Sequence, residues 1–163
     1  MPKIINTVAE LNSYMENIII PIVLKKVGEG VAQIMSNHLG ESGITMSLSE
    51  IIDMEWSNGG KTLDIFVSES MLPSDTGDYS NSGGFRKFMS IDGSLGYNGK
   101  TIAWWLASWI DSGVSGGGTY IGNQPIMAKH WFKKAVQEIK QVMDRMIRMA
   151  LKSQGIRATK PRG

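Results

Sequence analysis

Ile51-Ile-Asp-Met-Glu-Trp-Ser-Asn-Gly-Gly-Lys-Thr-Leu-Asp-Ile-Phe-Val67 is the stretch whose period decides the fold. Ile52, Met54 and Trp56 alternate with Asp53, Glu55 and Ser57; after Asn58-Gly59-Gly60, Leu63, Ile65 and Val67 alternate with Thr62, Asp64 and Phe66. Alternation puts successive side chains on opposite faces of a strand, and Asn-Gly-Gly supplies the positive φ values of a tight turn. The spacing predicts a β-hairpin over 51–67 whose two apolar sets share one sheet face.

On both sides of the hairpin the period changes to that of helices. Upstream, Thr7-Val-Ala-Glu10 has the form of a capping box, and Val8, Leu11, Met15, Ile18, Ile22, Val27, Val31, Ile34 and Met35 follow at helical spacing. A long helix is expected from Val8 to about Gly40. Pro21 removes a backbone donor inside it and clashes with the carbonyl four residues back, so a kink or break is expected near Ile20. Gly28 and Gly30 are expected to loosen the second half.

Downstream, Thr101 can cap a short apolar helix over 102–110 that stops at Asp111-Ser-Gly113, and a glycine-rich link from Gly113 to Gly122 follows. Asn123 suits a cap and Pro125 the first turn of a last helix. Its stripe is Ala128, Phe132, Ala135, Val136, Ile139, Val142, Met143, Met146, Ile147 and Ala150, with Lys129, Lys133, Lys140, Arg148 and Lys152 largely off it. Ending at Gly155, it would be roughly 45 Å long at 1.5 Å per residue. The fold class expected is α+β, a small antiparallel sheet against long N- and C-terminal helices. One domain over 1–155 precedes a basic tail over 156–163.

Between hairpin and short helix, residues 68–100 are rich in Ser, Gly, Asp and Asn, with scattered Met71, Leu72, Phe85, Phe88, Met89, Leu95 and Tyr97. A stretch of that length without a period is usually a functional loop or a segment that orders on a partner. The other reading is a decorated loop with a short extra hairpin near Asp92-Gly93 or Asn98-Gly99. Of the tryptophans on the short helix, Trp105 and Trp109 lie one turn apart on a face with Ile102 and are assigned to the core. Trp104 points elsewhere and is a candidate contact.

The chain has 163 residues, enough to bury roughly 70% of its unfolded surface without staples. It has no cysteine, so disulfides, thiolate metal sites and cysteine nucleophiles are excluded, and a reducing cytosol is expected. Met1-Pro-Lys-Ile-Ile-Asn6 lacks the pattern of a secretory signal, and no stretch reaches the ~20 apolar residues of a membrane span. Residues 1–128 carry 7 basic and 13 acidic groups, a balance of −6; residues 129–163 carry 10 and 2, a balance of +8. Such a split suits nucleic-acid contact, or head-to-tail packing of identical subunits in which an acidic face meets a basic one.

Motifs of catalysis are weak. Gly99-Lys-Thr101 resembles the end of a phosphate-binding loop, but the position that needs glycine is Ser94 and no apolar strand leads in. Asp75-Thr-Gly77 matches an aspartic-protease tripeptide in a Ser/Gly loop that a turn explains better, although a homodimer could supply a second copy. His38 has Glu41 at i+3 but no second histidine at i+3 or i+4, and His130 has neither a carboxylate nor a histidine there, so a metal site is not marked. His130 is expected to pack beside Trp131. No Ser-His-Asp set stands out among the loop serines, and neither an enzyme nor a cofactor is expected.

A long N-terminal helix, a hairpin, a glycine-rich insertion, an aromatic helix ending at Ser112-Gly113, and Gln124-Pro125-Ile-Met-Ala-Lys-His-Trp-Phe-Lys-Lys-Ala135 opening a basic helix follow in order. This order resembles the neck and tail-completion (head–tail joining) proteins of tailed bacteriophages and prophages. In them a short aromatic segment ending in a Gly turn precedes a Pro-and-aromatic start of the last helix. The resemblance covers residues 50–70 and 101–150, while the length of 68–100 and the interruption at Pro21 depart from it. It implies a subunit of a sixfold ring in the virion, between capsid connector and tail tube, assembled in the host cytoplasm. The implied partners are further copies of the chain, tail-tube or tail-terminator subunits and head-closure or connector proteins, with DNA passing through the lumen and no membrane or small-molecule substrate. Residues expected at subunit contacts are Phe85, Phe88, Met89 and Tyr97 of the insertion, Trp104, Lys133 and Arg148 of the helices, and Arg157, Lys160 and Arg162 of the tail. The alternative is a nucleic-acid-binding module using the basic helix and tail, although that helix also carries an apolar stripe and the aromatic cluster lies on a different element.

Overall fold

Thr7 starts the N-terminal helix in the computed structural model, which describes residues 4–41, 48–69, 96–97, 100–113 and 127–157. Thr7 Oγ1 accepts from the Glu10 N–H at 3.1 Å, and Glu10 Oε2 accepts from the Asn6 N–H at 2.8 Å. The box therefore closes one residue earlier than its usual form, and still satisfies two donors at the helix start.

Helix α1 (Val8–Tyr14) passes through a π-helical turn (Met15–Ile19) into helix α2 (Ile20–Gly40). This turn stands where a kink or break is expected near Ile20, and the helix widens there without breaking. Pro21 has no N–H to give, and its ring would press on the carbonyl of Asn17. The ladder widens just before it, and the Ile20 N–H donates to Met15 O, five residues back. Tyr14, Met15, Ile19 and Ile20 all keep right-handed helical dihedrals, so α1 continues into α2 without a reversal of the chain.

Strands β1 (Ile52–Ser57) and β2 (Thr62–Val67) form the hairpin, with Ile52 opposite Val67, Met54 opposite Ile65 and Trp56 opposite Leu63. The apolar sets share one face, as the alternation predicts. Asn58, Gly59 and Gly60 take φ of 49°, 66° and 83°, the left-handed values that Gly adopts without strain. Ile51 falls outside the strand: it ends a 3-10 turn (Leu48–Ile51), is fully buried, and its carbonyl accepts from the Ser68 N–H at 2.8 Å.

Strands β3 (Gly96–Tyr97) and β4 (Lys100–Thr101) pair around Asn98-Gly99, the second of the two places where an extra hairpin is expected. Helix α3 (Ile102–Ser112) follows at once and ends at Gly113, whose φ is 76° and whose N–H donates to Trp109 O at 2.7 Å. The last helix, α4 (Trp131–Ser153), starts later than Asn123-Gln-Pro125 predicts, and Asn123 and Pro125 lie outside the described residues. Ahead of it the chain bonds to the end of α3, with the Lys129 N–H on Ile110 O at 2.7 Å and the His130 N–H on Asp111 O at 3.2 Å. His130 then turns through φ 50°, exposed rather than packed, and Asp111 Oδ1 accepts from the Phe132 N–H at 3.0 Å. The end of one helix thus caps the start of the next. With 23 residues α4 is about 35 Å long. It closes as predicted at Gly155, φ 76°, whose N–H reaches Lys152 O while Ile156 N–H reaches Leu151 O, both at 3.0 Å.

Helices α2 and α4 run antiparallel, since Lys26 Nζ meets Ser153 Oγ at 2.6 Å and His38 Nε2 meets Glu138 Oε2 at 2.7 Å. Gly28 and Gly30 do not loosen α2; they let its neighbours close in. A Cβ on Gly28 would collide with Leu63 Cδ2 of β2, and one on Gly30 would lie 2.8 Å from Met146 Sδ of α4. Two residues at 3.6 per turn are about 160° apart, so hairpin and α4 lie on opposite flanks of α2. The core gathers Met35, Leu39, Ile51, Ala107, Ile110, Trp131 and Ala135, with Trp105 and Trp109 packed against it. Trp131 Nε1 donates to Ala107 O at 2.8 Å inside it, so the indole is buried with its polar edge satisfied. The fold is α+β, a small antiparallel sheet beside long N- and C-terminal helices.

Candidate assembly surfaces

The outer face of the hairpin is acidic because alternation leaves Asp53, Glu55 and Asp64 pointing away from α2, and all three are exposed. Glu55 stands directly opposite Asp64 in the register, an arrangement of like charges that destabilises a strand pair. Beside them an open hollow of about 660 Å³ is lined by Asp53, Glu55, Phe66, Glu69 and Trp104. Trp104 is half-buried at its border, edge-on to Trp105 with ring centres 5.2 Å apart, whereas Trp105 and Trp109 tilt together at 6.0 Å over the core. The division of the tryptophans follows the predicted helical faces. Trp104 also borders a smaller recess with Asp111, Trp131 and Phe132, and Phe132 is half exposed there instead of joining the buried stripe.

On the other flank, α4 buries Trp131, Ala135 and Ala150 and exposes Lys133, Lys134, Lys140 and Arg145. Arg148 is engaged on its own helix, with Nε at 3.0 Å from Asp144 Oδ2 and a second nitrogen 3.3 Å from Oδ1. That pair weakens its assignment as a contact and leaves Lys134 and Arg145, which the stripe does not single out, as further exposed cations of α4. Arg157 is exposed just past the helix. Phe85, Phe88, Met89, Lys160 and Arg162 lie outside the described residues, and Tyr97 is placed only by its backbone in β3.

Two apolar surfaces escape sequence reasoning altogether. Between the hairpin and α4, an open groove of about 570 Å³ has Val23, Val27 and Val31 of α2 as its floor, with Leu63 and Ile65 on one wall and Met143 and Ile147 on the other. The second surface is α1, which buries none of its residues. Exposure is 77% at Ile4, 74% at Val8, 45% at Leu11 and 46% at Ile18. Both belong to stripes that the periodicity marks as apolar, but period alone does not say which part of a stripe finds a partner.

Lys100 and Thr101 of the phosphate-loop-like tripeptide are paired in β4, and Asp75-Thr-Gly77 lies outside the described residues. His38 has its carboxylate across the helix pair, in Glu138, where sequence spacing could not show it. Among the described residues no group of three or more His, Cys, Asp or Glu is placed to hold a metal, and no helix is long and apolar enough to cross a membrane. No protein-family model, curated protein or solved structure matches the chain, so its role is read from its own surfaces.

Proposed function

We propose that the chain is a structural subunit of a phage-like neck or tail end, assembling head to tail into a ring. The observation that carries this reading is the placement of opposite charge on opposite flanks of α2. Asp53, Glu55 and Asp64 face outward from the hairpin, and α4 exposes Lys133, Lys134, Lys140, Arg145 and Lys152 against Glu138 and Asp144, a net basic flank. A surface of one sign on one flank and its complement on the other favours a heterologous contact, which closes into a ring when the rotation between copies allows. The resemblance of the element order to neck and tail-completion proteins supports the same reading and supplies the expected sixfold closure and tail-tube partner.

Mass measurement of the purified protein at rising concentration, alone and with tail-tube subunits, tests it. The expected result is a discrete closed oligomer. A strictly monomeric protein in both settings overturns the reading. A second reading, contact with nucleic acid, is favoured by the exposed cations Lys133, Lys134, Lys140, Arg145 and Lys152 along one element. It requires the monomer to bind duplex DNA with an affinity that falls steeply with salt.

A further inference from the structure

We propose that the N-terminal helix of one copy lays its apolar seam into the groove between β2, α2 and α4 of a second copy. The inference deepens the reading of the chain as a self-assembling subunit and names the contact through which it assembles. Val8, Leu11, Met15 and Ile18 are spaced 3, 4 and 3 residues apart, the spacing of one face of a helix that packs along another helix, and Ile4 stands in the chain just before it. Ile4, Val8, Leu11 and Ile18 are solvent-exposed, and α1 holds no fully buried residue. The groove is the complementary surface: its described lining is apolar except for Asp64 at the rim.

The two surfaces cannot satisfy one another within one chain. The groove begins at Ile19 and Ile20, and α1 leaves that point as the continuation of α2 through the π-helical turn, with helical dihedrals throughout. A helix cannot fold back onto the groove at its own base without breaking, so the occupant comes from another molecule. Length and the exposed apolar seam that every copy carries select a second copy. The floor from Ile19 to Val31 and the arm from Val8 to Ile19 each span about 18 Å at 1.5 Å per residue. Residues 4–20 hold Glu10 and Glu16 and no Lys or Arg, and the described lining of the groove holds one charged residue, Asp64. Because each copy offers both a seam and a groove, the contact repeats from subunit to subunit and closes as a ring when the rotation between copies allows.

Sedimentation velocity on the full chain at rising concentration tests the proposal, with circular dichroism as the check on folding. The variants are Val8→Glu/Leu11→Glu, which spoils the seam, and Ile147→Glu, which spoils the groove at a partly exposed position. Glu in the first turn suits a helix N-terminus, so the seam variant keeps its fold. Wild type is expected to grow beyond a monomer, and each variant alone to lose association while staying folded. An equimolar mixture is expected to form dimers that grow no further, because one intact seam meets one intact groove. If Ile147→Glu loses helical signal, Leu24→Gln on the groove lining replaces it. Continued association of the groove variant alone would mean seam packed on seam and overturns the proposal, as does a mixture that stays monomeric. Association that both variants retain overturns this contact and leaves the ring reading standing, whereas a wild type that is monomeric at every concentration overturns both.

Discussion

Gly28 and Gly30 show how differently two residues of one type can be used two positions apart. At Gly28 the atoms in the way are the branched end of Leu63, anchored on a strand, with Met54 Sδ 3.6 Å off. At Gly30 the obstacle is Met146 Sδ, the far end of an unbranched side chain with rotamers to spare. Alanine gains up to about 1 kcal/mol of helix propensity over glycine at either site, and overpacking costs about 1–3 kcal/mol where the neighbour cannot move. Gly28→Ala is therefore expected to destabilise by about 1 kcal/mol net, and Gly30→Ala to be neutral or slightly stabilising. Urea midpoints at constant slope check both.

At the scale of elements, α3 and α4 are joined by a reciprocal cap instead of the Asn-Pro cap that the sequence offers. Asp111 ends α3 and its carboxylate receives the Phe132 N–H of α4. Asp111→Ala is expected to cost about 1 kcal/mol, within the 0.5–2 kcal/mol range of helix caps, and Asp111→Asn to recover most of it because the amide oxygen still accepts. Thermal unfolding of the three proteins distinguishes them. The hairpin carries the opposite kind of feature, Glu55 facing Asp64. Glu55→Thr is expected to stabilise the monomer by about 0.2–1 kcal/mol, since it removes a like-charge pair and adds a β-branched residue. If the acidic face seats a basic helix, the same variant weakens association at low salt, so chemical denaturation and sedimentation move in opposite directions.

For the whole molecule, the flanking of α2 by an acidic hairpin and a basic helix would make the proposed assembly sensitive to ionic strength. Charges on exposed faces are screened over about 8 Å at physiological salt, and electrostatic steering acts mainly on the rate of encounter. Assembly followed by light scattering is expected to slow as salt rises from 50 to 300 mM, while the apolar contact of seam and groove keeps the final oligomer intact. An oligomer that dissolves completely over that range would assign its stability to the charges instead.

The sequence by itself determined what is local. The hairpin's period and turn, the capping box at Thr7, the disturbance before Pro21, the faces of Trp105 and Trp109 and the close of α4 at Gly155 each depend on residues within a few positions of one another, where sterics and hydrogen bonds act directly. Tertiary structure decided everything that depends on meeting a distant element. It set the start of α4 at Trp131, because the end of α3 offers Ile110 O, Asp111 O and the Asp111 carboxylate to a chain that would otherwise begin its helix earlier. It turned Gly28 and Gly30 from flexible points into contacts and paired His38 with Glu138. It also left one half of the N-terminal stripe bare and opened a groove between two flanks of α2, because an apolar pattern records that a face must be buried without recording by what.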